Sequence, residues 1–124
     1  MAKRGSKQVE AMLPLKAVEF EVLLALHDTA LHGYGMAKAI EARTEGRLRL
    51  EPANLYRRIA RLVDSGLVEA ISRRRAADSA DERRRYFRIT ALGRDVLEAE
   101  ALRMRDQVEA AAARAIVPRA GRSR

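Results

Sequence analysis

Asn54, Arg57, Arg58 and Arg61 lie within one short stretch of this sequence. A guanidinium donates two parallel hydrogen bonds to guanine O6 and N7 or clamps a phosphate, and a carboxamide matches the N6 and N7 edge of adenine. These side chains can act together only if the backbone turns them to one side. Stepping around a helix from Leu55, Arg58, Asn54, Arg61 and Arg57 fall at about −60°, −100°, −120° and −160°, an arc roughly 100° wide turned away from Leu55, Ile59 and Leu62. A second basic group lies further on: Arg73, Arg74 and Arg75, then Arg83, Arg84 and Arg85, with Asp78, Asp81 and Glu82 between them. Such a cluster grips phosphates rather than bases.

Other chemistries lack their residues. His27 and His32 are five positions apart with only Asp28 beside them, and the sequence has no cysteine. No Ser/His/Asp grouping, glycine-rich phosphate loop or paired-histidine metalloprotease motif occurs, so neither a catalytic residue nor a metal or cofactor site is expected. His32 reads as satisfying a turn or touching a nucleic-acid backbone.

The elements that must position these groups follow from periodicity. Residues 1–13 read as a flexible basic tail and 117–124 as another. From Pro14, apolar residues recur at helical spacing through Leu15, Val18, Val22, Ala25 and Leu26, predicting a first helix that ends at Asp28-Thr29. A second helix runs from about Tyr34 to Arg43 with Met36, Ala37 and Ile40 inward, and Gly46 ends it. Residues 47–50 alternate like a short strand or an extended connector. Pro52 opens a third helix to Ser65, the one that carries the arginine arc, and Gly66 supplies a left-handed cap. Strands at 67–71 and 84–89 form a hairpin with Phe87 and Ile89 on its inner face. Thr90 caps a long final helix, 91–116, whose Leu97, Ala101, Met104, Val108, Ala111 and Ala115 make a heptad seam. The rest of the chain cannot cover that seam along its whole length, so a second copy of the chain is its expected partner.

Three helices followed by a hairpin is the order of a winged helix-turn-helix, in which the third helix enters the DNA major groove. The fold expected is therefore mainly α: a winged helix-turn-helix DNA-binding domain over 14–90, then a C-terminal dimerisation helix over 91–116. The charge distribution agrees. Of a net +8 in 124 residues, the two tails hold +5, residues 47–88 carry 12 basic against 6 acidic groups, and the rest of the body is slightly acidic. The absence of cysteine suits a reducing compartment, and no apolar run reaches membrane-spanning length, so a cytoplasmic protein without a membrane partner is expected.

Taken in order, Leu31-His32-Gly33-Tyr34, Asn54-Leu55-Tyr56, Arg61-Leu62 to Gly66-Leu67-Val68, and Arg85-Tyr86-Phe87-Arg88-Ile89-Thr90 with Gly93 resemble the PadR family of bacterial transcriptional regulators. The likeness covers about residues 13–116, and the single final helix matches the shorter members. It implies a homodimeric, usually repressing protein bound to operator DNA, in some members with an effector pocket at the dimer interface. It also implies DNA-backbone roles for Tyr34, Lys38 and Tyr56. From its helical position alone, Tyr56 is either core edge or a hydroxyl extended to a phosphate.

The sequence departs from the family at two points. Ala53-Asn54 stands where the family has Gly-Thr, putting an amide in place of a hydroxyl at the helix start. The chain also lacks tryptophan, and its final helix has no aromatic residue on which a flat effector could stack. Two functional readings remain: a repressor on a pseudo-palindromic duplex, or a helical homodimer that meets a protein through its basic surface. Structured RNA is disfavoured by the scarcity of exposed stacking residues.

Overall fold

The computed structural model describes residues 6–71 and 85–118. The chain runs α1 (Lys7–Glu10), α2 (Ala17–Leu26), β1 (Leu31–His32), α3 (Gly33–Arg43), α4 (Pro52–Asp64), β2 (Val68–Ile71), β3 (Tyr86–Ile89) and α5 (Ala91–Ala113). α2 is apolar nearly all round, and it sits centrally, touching α3, α4, α5 and β3. A helix without a polar face must be covered on every side, which makes α2 the axis of the core. Val22, Leu23 and Leu26 from α2, Met36 and Ile40 from α3, Leu55, Ile59 and Leu62 from α4, and Phe87 and Ile89 from β3 close around it.

α4 has the strict amphipathic pattern of a surface helix, with those three residues inward and Pro52 in its first turn. It ends in a Schellman cap: the Gly66 N–H donates to the Val63 carbonyl and the Leu67 N–H to the Leu62 carbonyl, both at 3.0 Å. Gly66 has φ +82°, the left-handed geometry that glycine adopts without a Cβ penalty. The sheet is antiparallel in the order β1-β3-β2. Val68 pairs with Ile89 and Ile71 with Tyr86. Glu69 faces Arg88 across the ladder, and the Arg88 Nε–H donates to Glu69 Oε2 at 2.6 Å. The helix order and the hairpin are those of a winged helix-turn-helix, with a long C-terminal helix appended, as the sequence predicts.

Thr90 caps α5 as expected, its hydroxyl oxygen accepting from the Gly93 N–H at 2.9 Å. The same hydroxyl donates to the Gly66 carbonyl at 2.6 Å, joining the end of α4 to the start of α5. At its other end α5 stops at Ala113. Ala115 lies beyond it with φ +62°, and the Ile116 N–H closes back on the Ala111 carbonyl.

Several expectations are corrected. Residues 1–13 are not a flexible tail throughout: Ser6 caps α1, and Val9 is fully buried against α5. The short apolar set Val9, Met12 and Leu13 packs on the core, and one helical turn is too brief to stand out beside the flanking basic residues. The first long helix starts after Pro14 and Leu15, at Ala17. Leu31-His32 is a strand paired with Tyr86 and Phe87 rather than a plain turn. Of the two readings of residues 47–50, a short strand or a connector, the structure has the connector, with no strand assigned there. Ala115 is past the helix and cannot extend the seam, and Leu97 is only 6% exposed within its own protomer, as part of the core.

Candidate nucleic-acid interface

The polar face of α4 is built as its spacing requires. With Leu55, Ile59 and Leu62 locked in the core, Asn54, Arg57, Arg58 and Arg61 turn outward and line one cleft of about 330 Å³. Lys16, from the start of α2, completes its wall. An Arg57 Nη2–H donates to Asn54 Oδ1 at 3.4 Å.

Several other arginines face carboxylates, although Arg94 and Arg114 instead donate to the His27 and Ala110 carbonyls. Arg43 pairs with Glu21, Arg49 with Glu41 at 3.4 Å, Arg88 with Glu69 at 2.6 Å and Arg103 with Glu100 at 2.7 Å. Among the described residues, no carboxylate pairs with Lys16, Arg57, Arg58 or Arg61. Concentrated, unneutralised positive charge around a concave surface raises the local potential and attracts polyanions.

A second group of polar side chains lies at the start of α3. Tyr34 is 61% exposed, its ring stacked against His32 at 6.3 Å, with Lys38 Nζ 5.5 Å from its centroid. His32 caps α3, its Nδ1 accepting from the Gly35 N–H at 3.0 Å, and meets the edge of Tyr86 at 5.1 Å. Tyr56 projects from α4 across Gly33, where a Cβ would overlap its hydroxyl. That close approach explains the glycine of the Leu-His-Gly-Tyr stretch and brings Tyr56 beside the Tyr34 and Lys38 turn. Tyr56 remains 48% exposed, so it is neither plain core nor free side chain.

Of the hairpin arginines, Arg85 is exposed and shares with Tyr56 a cleft of about 520 Å³ between α4 and the sheet. Arg74, Arg75, Arg83 and Arg84 lie outside the described residues. Lys16 is the cation that sequence reasoning missed. It precedes α4 by dozens of residues, and only the packing of α2 on α4 brings it there. Its one local signal is a lysine at an N-cap, where Ser, Thr, Asp or Asn is usual.

The proposed seam on α5 divides in two. Leu97 packs inward, whereas Ala101 is exposed, Met104 and Ala111 are half-buried, and Val108 is 52% exposed. Glu100 is buried on the inward side, where Arg103 donates to its two oxygens at 2.9 and 2.7 Å. The Arg103 hydrogen bonds hold the Glu100 carboxyl below the usual carboxylate range, against the opposing effect of burial; the Arg103 charge and the Leu15 backbone N–H add to the lowering. Among the described residues no helix is long and apolar enough to cross a membrane.

The family model described as "Transcriptional regulator PadR-like family" matches residues 22–99. The chain belongs to the PadR-like family of transcriptional regulators. That match spans the core helices, α4, the sheet and the first part of α5. A PadR family transcription regulator from hypervirulent Clostridium difficile superposes with a TM-score of 0.66 at 20% identity, over 77% of this chain and 95% of that one. Bacillus subtilis PadR, solved in complex with operator DNA, superposes with a TM-score of 0.57 at 14% identity, over 67% of this chain and 46% of that one.

An uncharacterized 37.1 kDa protein in a transposon of Streptomyces fradiae is 41% identical over 80 residues, 64% of this chain. The chain spans 21% of the length of that relative. The PadR-like family is one of transcription factors rather than enzymes, and its winged-helix fold is the one present here.

Proposed function

We propose that this PadR-like protein is a cytoplasmic repressor that binds a pseudo-palindromic DNA operator as a homodimer, with α4 in the major groove. The observation that carries the reading is the cleft of cations on α4, where Arg57, Arg58 and Arg61 converge with Lys16 around Asn54 and none has a carboxylate partner among the described residues. One or two of the α4 side chains read base edges while the others on that helix hold phosphates, as is usual in protein–DNA contacts. Tyr34, Lys38 and Tyr56 flank them and serve as backbone contacts, and Arg85 with Arg74, Arg75, Arg83 and Arg84 supplies the wing's basic shoulders. The crystallised complex of Bacillus subtilis PadR with operator DNA supports duplex DNA as the partner.

The exposed outer half of α5 supports the homodimer, since Ala101, Met104, Val108 and Ala111 have no complete cover within one protomer. Two-fold pairing there sets the two α4 helices in successive major grooves, about 34 Å apart. Repression follows where such a dimer occupies DNA that polymerase needs.

Selection of bound sequences from random duplex DNA tests the whole reading. The expected product is an inverted repeat with half-sites about one helical turn apart. Recovery of no enriched sequence, with affinity no greater than for bulk duplex, would refute it in favour of a basic surface that meets a protein.

A further inference from the structure

Lys16 has no structural reason to be lysine. It is the N-cap of α2, where a small polar side chain would satisfy free amides and where a positive charge meets the positive end of the helix dipole. Its backbone N–H donates to Glu19 Oε1 at 3.3 Å, a bond that any residue at this position could make. The side chain instead lines the cleft with Arg57, Arg58 and Arg61. Like charges gathered around one concavity repel in the free protein, and the repulsion is relieved when an anion enters. Half to two-thirds of protein–DNA hydrogen bonds go to phosphate and sugar oxygens, so the anion that a cation beside the recognition helix meets on a duplex is a phosphodiester.

We infer that Lys16 is a DNA-backbone contact: its ammonium and the neighbouring α4 guanidinium groups hold one phosphate between the start of α2 and α4. That phosphate fixes how deeply α4 sits in the groove. The inference rests on the reading of the protein as a duplex-DNA binder and adds to it a contact from outside the recognition helix.

The test is equilibrium binding of the full chain to a fluorescent mixed-sequence duplex over a range of KCl concentrations, together with a melting curve for each variant. Lys16→Asn should bind about threefold to tenfold more weakly at 0.1 M KCl, and its log affinity against log salt should be shallower by about 0.9 for each protomer engaged. Its melting temperature should rise, because asparagine is a good N-cap. Lys16→Arg should restore both affinity and slope. A slope unchanged in Lys16→Asn, or not restored in Lys16→Arg, would overturn the inference while leaving the DNA reading intact. So would a loss of affinity that merely accompanies a lower melting temperature. Failure of the unmodified protein to bind the duplex at low salt would overturn the DNA reading itself, and the inference with it.

Discussion

The contact between Tyr56 and Gly33 couples the recognition helix to the start of α3, and its strength can be measured. An alanine Cβ at position 33 would overlap both the Tyr56 hydroxyl and the ring carbon that bears it, and would stand 3.0 Å from Cε1. Overpacking of this kind costs about 1 to 3 kcal/mol. Because Tyr56 is 48% exposed, its ring can swing toward solvent, which places the cost near 1 kcal/mol. In a Tyr56→Ala background the overlap is gone. There, Gly33→Ala removes conformational freedom from the unfolded chain and should stabilise by about 0.4 to 1 kcal/mol.

The same substitution therefore changes sign between the two backgrounds, with a coupling energy of about 1.5 to 2 kcal/mol. Urea denaturation of the four proteins of the double-mutant cycle measures it. Tyr56→Phe should relieve the clash only in part, since the ring remains over residue 33. An equal effect of Gly33→Ala in both backgrounds would refute the claim that this glycine is required by the tyrosine.

Other perturbations test the remaining assignments. Arg58→Ala should weaken binding to a selected operator by about 1 to 3 kcal/mol if it reads a guanine edge, and gel-shift titration showing no change would remove it from the interface. Val108→Asp should leave the circular dichroism spectrum nearly unchanged yet yield monomers in light scattering, because Val108 is 52% exposed in the protomer; a persistent dimer would move the interface off outer α5. Leu97→Asp should instead unfold the protomer, since it puts a charge into the core, and a folded monomer would contradict its burial.

The Glu100 carboxyl is held low by Arg103, so its contribution to stability is fully present above the unfolded carboxylate pKa of about 4.3 and is lost as pH falls through the depressed folded value. The gap in melting temperature between the parent protein and Glu100→Gln should be widest at neutral pH and close in acid. A gap that is constant through that range would show that the ion pair is not its source.

Much of this molecule is legible along the chain because its signals are local. The three inward residues of α4, the glycine after it, the threonine before α5 and the alternation of Phe87 and Ile89 each depend on neighbours a few positions away, and each is where periodicity puts it. The arginine arc is visible for the same reason, since 100° per residue maps sequence directly onto a helix face.

Only the tertiary structure decides the rest, wherever a residue's role depends on a partner remote in sequence. Val9 anchors α1 to α5, Leu31-His32 becomes a strand by pairing with Tyr86 and Phe87, and Lys16 reaches the α4 arginines. Leu97 and Val108 share one apolar repeat, yet the first is buried and the second exposed, because α5 outruns the body it packs on. A repeat specifies which side of a helix is apolar. What covers that side depends on where the other elements end in space, and no local pattern carries that information.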